Sequence, residues 1–63
     1  MTVCISESVY GDKGVIVGSK DERFQKAWGW KNRVSRENLF DVMNEIASWV
    51  NNELKEECLF EML

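Results

Sequence analysis

Histidine and proline are both absent from this 63-residue chain, and cysteine occurs only twice. Cys4 and Cys58 stand near opposite ends with no C-x-x-C spacing, so with no histidine to join them the sequence offers no zinc site. The same absence restricts nucleophilic catalysis to Cys or Ser paired with a carboxylate or Lys. Cys4, between Val3 and Ile5, reads as a small buried hydrophobe and not as a thiolate. No proline-rich linker, repeat or low-complexity tract divides the chain, which is therefore expected to form one domain over 1–63. No run of about 18 apolar residues is present, and Met1–Glu7 lacks both a basic segment and a continuous apolar one. These absences predict a soluble, cytoplasmic protein with reduced thiols, a Cys4–Cys58 disulfide being the minority alternative. Gly11 and Gly14 precede a strand, not a helix N-terminus, so they read as a turn and not as a phosphate loop. No cofactor site and no enzymatic activity are expected.

What is present is organised around one stretch. Leu39, Met43, Ile46, Val50 and Leu54 recur at helical spacing, with Val42, Ala47 and Trp49 widening the stripe and Asp41, Asn44, Glu45, Ser48 and Asn52 opposite. Ser35 is a suitable N-cap, and Val34 can pack on Leu39 as a hydrophobic staple. The spacing predicts a long amphipathic helix over about 36–57. Upstream, Val3, Ile5 and Val9 share one parity and Cys4, Ser6, Ser8 and Tyr10 the other, a strand pattern. A turn at Gly11-Asp12-Lys13-Gly14 and a second strand at Val15-Ile16-Val17 complete a β-hairpin over about 2–18. Between the two lies an ambiguous segment. Ser19 and Glu22 form a capping box ahead of Phe24, Ala27 and Trp28, and Gly29 ends the pattern, which favours a short helix at about 20–28. The alternation of Phe24, Lys26, Trp28 and Trp30 allows a third strand over 23–31 instead. The expected fold is α+β, a hairpin packed on the long helix, followed by an apolar tail over 58–63. A chain this short buries only about 60% of its unfolded surface, so Trp28 and Trp30 are expected in the core.

Charge is unevenly distributed. Residues 20–36 carry Lys20, Arg23, Lys26, Lys31, Arg33 and Arg36 against Asp21 and Glu22, whereas 37–63 carry seven carboxylates against Lys55 alone. The acidic set Asp41, Glu45, Glu53, Glu56 and Glu57 follows the polar side of the long helix, where like charges four apart cost about 0.2–0.5 kcal/mol per pair. Asp41 and Glu45 could also serve as a metal or acid–base pair, but two carboxylates one turn apart usually form a solvated surface. The acidic set points to a protein partner with a basic surface and to an inhibitor or regulator of a larger macromolecule. In type, though not by any family motif, that resembles small phage proteins that block host defence or transcription. The alternative is a nucleic-acid-binding accessory protein using Lys26, Trp28, Trp30, Lys31 and Arg33, which interleave cations with rings. A net charge of −3 argues against it. Cys58, Leu59, Phe60, Met62 and Leu63 leave the stripe, and they suggest a homodimer closed by the tail.

Overall fold

The computed structural model describes residues 1–7 and 14–63. Strand β1 (Thr2–Glu7) and strand β2 (Gly14–Gly18) pair antiparallel, with Ile5 opposite Val17 and Glu7 opposite Val15. Pleating sends alternate residues to opposite faces, so Val3, Ile5, Val15 and Val17 share one side, and all four are buried. The hairpin is therefore present. The expected turn residues Gly11, Asp12 and Lys13, together with Val9 and Tyr10, lie outside the described residues.

The ambiguous segment resolves into a helix followed by a strand. Helix α1 (Glu22–Trp28) is capped by Asp21, whose carboxylate accepts the Arg23 N–H at 2.8 Å, and it stops at Gly29, where φ is 96°. The expected cap, Ser19, does other work: its hydroxyl donates to the Thr2 carbonyl at 2.7 Å and accepts the Asp21 N–H at 3.2 Å. A carboxylate two residues closer to the first turn is the better acceptor at a positive helix end. The third strand exists, but as β3 (Asn32–Ser35) and not over 23–31, and it is antiparallel to β2 with Val34 opposite Val15.

A 3₁₀ turn (Arg36–Asn38) leads into helix α2 (Leu39–Trp49), which continues as a π-helical turn (Val50–Leu54), 19 helical residues in all. Ser35 occupies the cap position without a side-chain capping bond. The stripe behaves as its spacing requires. Ile46 and Val50 are fully buried, and Leu39, Val42, Met43, Trp49 and Leu54 pack around them. The helix ends three residues earlier than expected because Lys55 turns into the left-handed region (φ 54°, ψ 42°), its N–H closing on the Val50 carbonyl. The apolar period gives out at the same place.

The chain after the helix is a strand and not a free tail. Strand β4 (Leu59–Met62) runs parallel to β1, with Thr2 opposite Leu59 and Ile5 opposite Met62, and the sheet order is β3-β2-β1-β4. Two strands thus become a four-stranded mixed sheet, and β3, α2 and β4 form a parallel crossover between its two edges. Phe24 from α1, with Ile46 and Val50, closes one face over Val3, Ile5, Val15 and Val17. Phe24, Trp28 and Trp49 meet as an aromatic trio with ring centroids 6.2–6.4 Å apart. The opposite face of the sheet carries no helix among the described residues.

Candidate functional site

The outer side of α2 is built by the same period that builds the core. Residues about half a turn from Ile46 point away from the sheet, and Phe40, Asp41, Asn44, Glu45 and Ser48 are all exposed. Phe40 is 77% exposed, the most exposed of the large apolar side chains among the described residues. An aromatic ring in that position gains nothing from the protein's own core. Its signal was present in the sequence, because position 40 lies off the stripe set by Leu39, Met43 and Ile46. Among the described residues, Asp41, Glu45 and Glu53 form no ion pair.

Glu56 and Glu57 are separated from that surface, since both follow the left-handed residue that ends the helix. Glu56 is held in place: its carboxylate takes two hydrogen bonds from the Arg23 guanidinium, at 2.9 and 3.0 Å, and lies 3.2 Å from the Met1 amine. Arg23 also grips Asp21, through Nε at 3.0 Å and Nη2 at 2.7 Å. This fork ties the start of α1 to the turn between α2 and β4. It holds the Asp21 carboxyl at about 2, below its ordinary 3.8, chiefly through the Arg23 side chain. Glu56 is lowered as well, first by Arg23 and then by the amine. Glu57 is exposed, and its carbonyl accepts from the Met1 amine at 2.7 Å. Of the five expected contact carboxylates, only Asp41 and Glu45 share the outer face of α2, while Glu53 is exposed on the π turn. Glu53 with Glu57, and Glu57 with Glu61, four apart in sequence, do not form like-charge pairs on one helix, because the helix stops at Leu54.

The basic and aromatic set divides too. Trp28 is half-buried in the aromatic trio, and Lys26 is exposed on α1. Trp30, expected in the core, is 69% exposed and lies with Lys31 at the edge of a shallow concavity of about 380 Å³ on the open sheet face. Cys4, Ser6, Ile16 and Leu63 help to line it. Arg33 projects on the same face, opposite Ile16 in the register. Cys4 is consequently half-buried on the open side and not in the core, since its parity is opposite to that of Val3 and Ile5.

The tail residues alternate between the two faces. Phe60 and Met62 pair with Val3 and Ile5 on the core side, whereas Leu59 and Glu61 pair with Thr2 and Cys4 on the open side. Phe60 packs against the core, while Leu59, Met62 and Leu63 remain exposed. Cys58 is a free, half-buried thiol whose pKa is pushed up by burial, which disfavours the thiolate. Among the described residues, no cluster of three or more Cys, Asp or Glu side chains could hold a metal ion, and no helix is long and apolar enough to cross a membrane. No protein-family model, curated protein or solved structure matches the chain.

Proposed function

We propose that the protein is a non-catalytic binding module whose outer α2 face docks a larger macromolecular partner with a basic surface, and that it acts as an inhibitor or regulator of that partner. The observation that carries this reading is Phe40, 77% exposed on the side of α2 turned away from the sheet, where Asp41 and Glu45 are exposed as well. An exposed aromatic ring flanked by acidic groups is the composition of an interface anchor with a charged rim. The acids supply fast, salt-sensitive association with a basic surface, and the ring supplies a desolvated contact. Occupation of a basic surface by this acidic face would also displace nucleic acid from it, which is the sense in which the module inhibits.

The alternative, nucleic-acid binding, retains Trp30, Lys31 and Arg33 on one face but loses Trp28 to the core. Glu61 shares that face and opposes a phosphate backbone. Partner capture separates the two readings. Three proteins are compared: wild type, Phe40→Ala with Asp41→Lys and Glu45→Lys, and Lys31→Glu with Arg33→Glu. All substituted side chains are exposed, so each variant is expected to remain folded. Capture of a protein by wild type and by the second variant, with loss of about 100-fold in affinity for the α2 variant, is the expected result. Full affinity of the α2 variant across salt concentrations would overturn the proposal, and nucleic acid released by the Lys31 and Arg33 changes would establish the alternative.

A further inference from the structure

We propose that the open face of the sheet is the two-fold interface of a homodimer. The register places charge of opposite sign at the two edges of this face. Glu61 on β4 stands beside Cys4 on β1, which stands beside Gly18 on β2, and Lys31 immediately precedes β3 at the same level. One step along the strands, Ser6 lies beside Ile16 and Ile16 beside Arg33. The face is therefore basic along β3, acidic at Glu61 on β4, and small or apolar between, with Lys20 and Asp21 at its rim near Glu61.

Such a face is complementary to itself under one symmetry operation. A two-fold axis parallel to the strands, lying between the two sheets, sets β3 of each copy over β4 of the other and β2 over β1. Lys31 then faces the partner copy's acidic edge at Glu61, twice by symmetry. Cys4 falls over Gly18 and Ser6 over Ile16, small against larger, at the spacing of about 10 Å usual for packed sheets. Trp30, 69% exposed beside β3, comes over the β4 edge, where Leu59 and Leu63 are 55% and 73% exposed. The other in-plane axis, perpendicular to the strands, would set basic edge on basic edge and acidic on acidic. Of these two, charge favours the axis parallel to the strands.

The proposal uses part of the surface expected for self-association. Leu59 and Leu63 belong to it, whereas Phe60 packs toward the core and Met62, though 68% exposed, stands on the opposite parity. The face measures roughly 15–20 Å on each side, which is small for a specific interface, so a dissociation constant in the micromolar range is expected. The surface is separate from the outer face of α2, and the dimer leaves that face free.

Sedimentation of the full chain over a micromolar concentration series tests it, with folding followed by circular dichroism. Wild type should pass from monomer to dimer. Lys31→Glu or Glu61→Lys alone should weaken the dimer about tenfold or more by placing like charges together, and the two changes combined should restore it. Ile16→Lys should give a folded monomer. A wild-type chain that stays monomeric up to its solubility limit overturns the proposal, and so does a dimer that survives all three single changes or is not restored by the exchange. Lys31 and Glu61 are exposed, so loss of the fold does not confound those two variants.

Discussion

Strands β1 and β2 have two faces that differ more from each other than either strand differs from its neighbour. On one, Val3, Ile5, Val15 and Val17 are at most 4% exposed beneath Phe24, Ile46 and Val50. On the other, Cys4, Ser6, Ile16 and Gly18 are half-buried, with no helix above them among the described residues. The first face is uniformly β-branched and is satisfied within the chain. The second mixes small and apolar residues and is left uncovered, with charge only on the flanking strands β3 and β4. A strand of alternating parity thus carries two messages, one that specifies the fold and one left over for contact with something else.

The sharpest way to break this comparison is to place the same charge on each side. Val17→Asp or Ile46→Asp puts a carboxylate at a site with 0% exposure and is expected to cost at least about 4 kcal/mol, abolishing cooperative thermal unfolding. Ile16→Asp, one residue from Val17 but on the open side, should leave the monomer folded with a melting curve close to that of wild type. Equal damage at positions 16 and 17 would show that both faces belong to the core.

A smaller effect is expected where the helix that covers the core face ends. Lys55 adopts a left-handed conformation, which costs a side chain with a Cβ about 1–2 kcal/mol, whereas glycine's freer unfolded state offsets about 0.4–1 kcal/mol. Lys55→Gly should therefore stabilise the protein by roughly 0.5–1 kcal/mol and raise the thermal midpoint by a few degrees. A lower midpoint would show that the Lys55 side chain has a role beyond its backbone.

The smallest expected effect is electrostatic. Asp21 and Glu56 have folded pKa values below their unfolded ones, so their contribution to stability is present above the ordinary carboxylate pKa and is lost as pH falls through the folded value, about 2 for Asp21. The midpoint difference between wild type and Arg23→Met should shrink as pH is lowered from 3.8 toward about 2. Solvent screens these partly exposed groups, so the difference is small throughout. A difference that stays constant through that interval would mean that Arg23 acts by packing its stem and not by charge.

The sequence made legible the features that depend on residues close along the chain. The stripe from Leu39 to Leu54 predicts its buried face residue by residue, and the parity of Val3 and Ile5 predicts the core side of β1. Strand β4 escaped because its partner is Thr2–Ile5, far away in sequence, and four residues alternating as Leu-Phe-Glu-Met have no distinctive local signature. Glu56 escaped for a similar reason. Its place on the helix followed from extending a period that stops at Leu54, and nothing near it in sequence points to Arg23. Phe40 is legible as the apolar residue that lies off the stripe of Leu39, Met43 and Ile46.

The parallel pairing of β4 with β1 also governs how fast this small protein can find its structure. Bringing Glu7 to Val15 closes a short loop, whereas bringing Thr2 to Leu59 closes nearly the whole chain, at an entropic cost higher by about 2 kcal/mol. Strand β1 is therefore expected to acquire β2 first and β4 only after α2 has shortened the gap between them. High contact order of this kind slows folding at any given stability. For a chain of this length, folding is expected to be slower than that of a helical bundle.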